Sequence, residues 1–424
     1  MKRIQEKVKD LVEVRPYQGL QDFISDPSET LSAYHFTDQT AEMMAKWLDK
    51  VADVQPFNGA AKALAGYRGV GKSHFLATLG AIVSHAELRS RVTEPMVAAS
   101  AQRLKRRRHP VAYVRRGTHA TLLEELKDAL ALALEVEPGN LGGSSLEELL
   151  KIASDKAADL PFVFIIDTAH DRANRVARDD GVLLGELAEQ AKNLNLFIAV
   201  ALDDDIAGAD GVNAAIARNY AIDYLDQEHL YRIVDTHIFP KHRQTQRLVH
   251  DIYTYFRALL PSFRWSEQRF VSLYPLHPLI LEIAPFVRLY APEFALLGFA
   301  SEAGAKILGR PANSLVGLDE VFDRAETALR KAKDLREAFS TYDQLSSEVV
   351  AHIPVMQRLQ AKLVLKALML LSLDGDGTTA SEISAAMLIY DENNPPKSNK
   401  SIEDLLDTFA SILPEQIRRK AESG

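Results

Sequence analysis

The stretch Gly66-Tyr67-Arg68-Gly69-Val70-Gly71-Lys72-Ser73 reads G-x-x-x-x-G-K-S, with both glycines, the lysine and the hydroxyl in register for a phosphate-binding loop. Such a loop needs a buried strand before it and a helix after it. The small, mostly apolar run Ala60 to Ala65 supplies the strand, and Ser73-His74-Phe75-Leu76-Ala77-Thr78-Leu79-Gly80-Ala81-Ile82-Val83 continues at helical spacing. Glycines let the backbone wrap with its N–H groups inward, and the helix adds its positive N-terminal end, so a β-phosphate meets a ready anion site. The predicted nucleotide-binding set is Gly66, Tyr67, Arg68, Gly69, Val70, Gly71, Lys72, Ser73 and His74. Lys72 is expected to bridge the β- and γ-phosphates and Ser73 to ligate Mg²⁺.

The second half of such a site is an acidic residue closing a buried strand, and Phe162-Val163-Phe164-Ile165-Ile166-Asp167 has that form. Asp167 is the expected metal-site carboxylate beside Ser73; an acidic cap on the next helix is the alternative. Hydrolysing ATPases often place a glutamate directly after this aspartate, whereas the residues here are Thr168, Ala169 and His170. Asp171 or His170 would then orient water, giving slow or partner-stimulated turnover, or the site would bind ATP and release it intact as a switch. Lys72, Asp167 and Asp171 form the candidate catalytic set. Leu202-Asp203-Asp204-Asp205 ends the next strand, and Asp203 or Asp204 is a candidate γ-phosphate sensor, with a plain turn as the alternative. Arg172, Arg175 and Arg178 recur at near-helical spacing and read as a solvated helix face in preference to an arginine finger.

The chain of 424 residues, 47% hydrophobic and 25% charged, has the composition of a soluble globular protein of two or three domains. It has no cysteine, which excludes a disulfide framework and thiolate metal sites, and its N-terminus lacks the apolar core of a signal peptide, so a cytoplasmic location is expected. The longest apolar runs are short and charged, as in Leu363 to Leu373 with Lys366, so no membrane partner is expected. The net charge of −8 argues against indiscriminate coating of nucleic acid.

Residues 1–55 are read as an N-terminal helical region, where Thr37 offers a cap. Residues 56–240 are read as an α/β phosphate-loop NTPase core, a parallel sheet covered on both faces. Its further strands are expected at Val111–Val114, Phe162–Ile166, Leu196–Leu202 and Leu230–Val234. Residues 241–345, punctuated by prolines, are read as a helical lid. Residues 346–424 are read as a winged-helix-like or purely helical module, with Thr379 capping its second helix. The segment Arg103-Leu104-Lys105-Arg106-Arg107-Arg108-His109, with Arg115 and Arg116, is a candidate grip on DNA or RNA, set against a solvated helix end. His277, between Pro275 and Pro278, is read as a packing or capping residue because no second ligand accompanies it at metal spacing.

The run Gly66 to Leu76, with Tyr274-Pro275-Leu276-His277-Pro278 and Arg310-Pro311-Ala312-Asn313-Ser314-Leu315-Val316, resembles the large AAA-type ATPases of bacterial phage-defence islands, the PglY/BrxC-like proteins of BREX systems. The resemblance spans residues 30–330, and G-Y-x-G-x-G-K-S-H is its most specific part. It implies ATP with Mg²⁺ as cofactors, self-association into an oligomer, and work beside other defence-complex proteins on DNA. Those proteins are longer, so it also implies a short relative or an N-terminal portion. Adenine is favoured through this resemblance, and the guanine-reading N-K-x-D motif is absent from the sequence. By analogy of fold, a core of this kind followed by helices is also similar to replication initiators of the origin-recognition type. The alternative function is a nucleotide-stabilised protein-binding scaffold, with a small-molecule kinase as a weaker third reading.

Overall fold

Residues Ala60–Gly66 (β1), Val111–Arg115 (β2), Phe162–Asp167 (β3), Leu196–Asp203 (β4) and Ala221–Tyr224 (β5) form one sheet in the order β2-β3-β4-β1-β5, every neighbouring pair parallel. The molecule is seen in a computed structural model that describes residues 5–20, 22–104, 107–157, 159–168, 180–203, 214–242 and 245–417.

Period-two alternation sends each strand's side chains to opposite faces. Val163 and Ile165 of β3 join Phe197, Ala199 and Ala201 of β4 on one face, under the helices Asp38–Asp53 and Lys72–Ser84. Phe162, Phe164 and Ile166 join Leu196, Ile198, Val200 and Leu202 on the other, under Leu122–Leu134, Leu146–Ala157 and Gly181–Ala191. Burial on both faces explains why β3 and β4 read as continuous apolar runs. The helix after β1 covers one face and those after β2 and β3 cover the other, as right-handed crossovers require when the chain runs leftward from β1 and then returns. The carboxyl ends of the adjacent strands β1 and β4 therefore flank a crevice where the winding reverses, the usual ligand position in such sheets.

The fifth strand differs from the expected Leu230–Val234. That run lies in the helix Glu228–Ile233 and the π-helical turn Val234–Ile238. Leu230, Val234 and Ile238 recur every four residues, a helical period, while the true edge strand Ala221–Tyr224 is short and half-exposed, with little apolar signal. Its Asp223 anchors it by accepting from Trp47 Nε1 at 2.7 Å and from Lys62 Nζ at 3.0 Å.

The chain divides into two compact units, Gln18–Leu230 around the sheet, and Met1–Tyr17 with Tyr231–Gly424. In the second unit residues 8–15 hydrogen bond along its backbone, with Val8 N–H to Arg310 O at 3.0 Å and Arg15 N–H to Ile238 O at 3.0 Å. Arg336–His352, Arg358–Leu371, Ala380–Met387 and Pro395–Ile412 close one apolar core around Val349, Val364, Ile383 and Phe409. Thr379 caps Ala380–Met387 in a reciprocal box with Glu382. Among the described residues no strand follows β5, so the described part of this module is helical. A parallel sheet covered on both faces, with a helical C-terminal module, gives the α/β phosphate-loop NTPase fold class.

Candidate nucleotide site

The loop closes β1 where only glycine is tolerated. A Cβ on Gly66 would sit 2.2 Å from the Leu225 carbonyl oxygen, and Gly71, which caps the helix Lys72–Ser84, has φ of 104°. With the first N–H groups of that helix unblocked by any side-chain cap, its positive end faces the loop. Lys72 is buried and reaches back under the loop. Its Nζ donates to Gly66 O at 2.6 Å and Tyr67 O at 2.8 Å, and pairs with Asp203 Oδ1 at 2.8 Å. The pair exists because Gly66 and Asp203 are register partners at the ends of β1 and β4. Tyr67 is exposed, Arg68, Gly69, Gly71, Ser73 and His74 are half-buried, and Val70 is packed inward.

Asp167, at the end of β3, faces the same edge. Its Oδ1 accepts from Ser73 Oγ at 2.9 Å and from the Thr168 N–H at 2.8 Å; its Oδ2 accepts from Tyr113 OH at 3.0 Å. Its backbone carbonyl accepts from Arg116 Nε at 2.9 Å, and the buried Arg116 guanidinium lies 3.5 Å from Asp180. Burial, and then the neighbouring Asp167 charge, push the Tyr113 phenol far above its ordinary value, so it stays a proton donor. The Arg115 guanidinium stands over the Tyr113 ring at 5.4 Å and pairs with Asp22 at 3.3 Å. Ser73 and Asp167 are hard oxygen donors side by side, which suits Mg²⁺. Among the described residues no group of three His, Cys, Asp or Glu could hold a metal ion.

The structure thus brings together the loop, Lys72, Ser73, Asp167 and Asp203. Asp171, His170, Asp204, Asp205 and the arginines 172, 175 and 178 lie outside the described residues. Tyr113, Arg116 and His229 were missed as site residues by reasoning from sequence. His229 is buried, its Nδ1 is 3.2 Å from Asp226 O, and its Nε2 would stand 3.3 Å from a Cβ on Gly71. Burial lowers it to about 4, so it is neutral beside the loop. No local motif marks these three; only the pairing of β2 with β3 brings Tyr113 and Arg116 to Asp167.

Two arginines of the basic segment are paired with carboxylates. Arg103 pairs with Asp49 at 2.7 Å and Asp53 at 2.8 Å, and Arg107 pairs with Asp159 at 3.3 Å; Lys105 and Arg106 lie outside the described residues. His277 is fully buried against Trp265, accepts from the Leu279 N–H at 3.2 Å on Nδ1 and so donates from Nε2 to Ala385 O at 2.9 Å. Both ring nitrogens are used, and none is left for a metal. No helix among the described residues is long and apolar enough to cross a membrane.

No protein-family model matches the chain, and no curated protein matches it. Solved structures similar to it include the Aeropyrum pernix Orc1 protein in complex with DNA, 17% identical, covering 95% of this chain and 88% of that chain at a TM-score of 0.34. The Drosophila ORC bound to DNA is 14% identical over 93% of this chain and 99% of that chain, with a TM-score of 0.35. AMPPCP-bound DnaA from Aquifex aeolicus is 12% identical over 92% of this chain and 97% of that chain, with a TM-score of 0.31. Likeness at this level supplies no function, which has to come from the site itself.

Proposed function

We propose that Gln18–Leu230 is an ATP-binding, AAA-type module whose nucleotide state governs self-association, and that the chain serves a DNA-directed assembly. The observation that carries this reading is the convergence of the buried Lys72 ammonium and the Ser73–Asp167 pair at the crevice between β1 and β4. Inward loop N–H groups and the helix end bind the β-phosphate, Lys72 the β- and γ-phosphates. Ser73 Oγ and the Asp167 carboxylate would hold magnesium, which when bound neutralises phosphate charge. Tyr113 and Arg116 keep Asp167 aimed at Ser73, one through its carboxylate and the other through its backbone carbonyl.

Thr168 follows Asp167 where a hydrolysing enzyme often has a carboxylate, and its contribution is a backbone N–H to Asp167. This favours slow or partner-stimulated turnover, with Asp171 as the candidate water-orienting residue. The finer reading, a phage-defence complex of BREX type, rests on the resemblance of the G-Y-R-G-V-G-K-S-H run. The test is binding and steady-state hydrolysis of Mg·ATP by the purified chain, with and without double-stranded DNA, beside Lys72→Ala and Asp167→Ala, with oligomer size followed by light scattering. Binding and ATP-dependent assembly that vanish in Lys72→Ala support the proposal. Assembly indifferent to both ATP and the substitution would leave a plain scaffold.

A further inference from the structure

Lys72 Nζ donates to the carbonyls of Gly66 and Tyr67 and stands 2.8 Å from Asp203 Oδ1 in an ion pair. A phosphate oxygen that approaches Nζ therefore meets the Asp203 carboxylate as a rival anion. The two carbonyls are neutral loop backbone, whereas Asp203 is charged and as buried as the lysine, with side-chain exposures of 3% and 4%. A carboxylate so placed both neutralises the cation and repels the incoming anion, and in a poorly solvated crevice neither effect is strongly screened.

We infer that Asp203 is a specificity-determining residue of the nucleotide site: it competes with the terminal phosphate for Lys72 and weakens triphosphate binding more than diphosphate binding. The inference rests on the nucleotide reading above. Its electrostatic basis is direct, since the lysine of such a loop meets the β- and γ-phosphates, and the γ-phosphate adds charge closest to the competing carboxylate. A neutral side chain at position 203 removes the repulsion and leaves Lys72 its loop carbonyls. Placing the competitor at the end of β4 also links the two strands that flank the crevice, so displacing it on binding would release a tie between β4 and the loop lysine.

The experiment is calorimetric titration of the full chain with AMPPCP and with ADP, each with MgCl₂, for the wild type, Asp203→Asn and Asp203→Ser, with melting curves to establish folding. The wild type should bind AMPPCP no more tightly than ADP. Either substitution should tighten AMPPCP binding about tenfold, with a smaller gain for ADP. Unchanged or weaker AMPPCP binding in the folded variants overturns the inference. Should neither variant fold, a wild type that prefers AMPPCP over ADP overturns it alone. Absence of all nucleotide binding, in wild type and variants alike, instead removes the nucleotide reading itself.

Discussion

The hydroxyl of Ser73 donates to Oδ1 of Asp167 over 2.9 Å, joining the first turn of the loop helix to a strand end 94 residues away. In the proposed nucleotide site these two oxygens would be the protein's donors to Mg²⁺, and Tyr113 holds the other carboxylate oxygen in place. Asp167→Asn should therefore weaken Mg²⁺-dependent ATP affinity by about tenfold while affinity measured in EDTA changes little. Tyr113→Phe should give a smaller loss of the same kind and cost about 1 kcal/mol of stability. Titration of a fluorescent ATP analogue with and without Mg²⁺ separates the two effects.

Lys72 and Asp203 form a buried ion pair, so removing one partner strands the other. Lys72→Ala should lower stability by about 3–5 kcal/mol in addition to abolishing nucleotide binding. Lys72→Met combined with Asp203→Asn should regain more than half of that loss without regaining binding. Urea denaturation of the single and double variants measures the coupling, and an additive double variant would contradict it.

The loop, its flanking strand and helix, and Asp167 were legible in the sequence because each depends on local spacing. Gly66 and Lys72 are fixed by the motif, and β3 by an unbroken apolar run ending in an acid. Long-range partners were not legible. Tyr113 and Arg116 acquire their roles only when β2 pairs with β3, and Arg116 sat in sequence among surface-like basic residues although the fold buries it against Asp167 and Asp180. The fifth strand was misplaced for a related reason. Ala221–Tyr224 is an edge strand held by hydrogen bonds to β1 and by Asp223, with too little apolar burial to leave a pattern, while Leu230–Val234 carried the stronger hydrophobic run.

The pairing of Arg103 and Arg107 with Asp49, Asp53 and Asp159 bears on DNA. A guanidinium already beside a carboxylate gains less from a phosphate, because the displaced acid then adds its own repulsion. Replacing Arg103 and Arg107 together with Ala should change the slope of log affinity against log salt by less than about 1, one phosphate contact's worth. A fall of about two would assign both guanidinium groups to the DNA backbone.

His277 makes stability depend on pH. Its imidazole is buried against Trp265, is bonded at both nitrogens, and is lowered by burial from 6.5 to about 4, the bond to Ala385 partly opposing the shift. Between those values the unfolded chain binds a proton that the folded chain refuses, so acidification favours unfolding. The stabilisation is complete above pH 6.5 and is lost as pH falls towards 4, amounting to about 3 kcal/mol over the whole window. His277→Gln should lower stability at pH 7, because an amide cannot reproduce the ring's packing and both bonds, yet should flatten the decline between pH 6.5 and 4.5. Denaturation followed through tryptophan fluorescence in a Trp47→Phe background, which leaves Trp265 as the emitter, measures both, and a decline equally steep in the variant would place the acid sensitivity elsewhere.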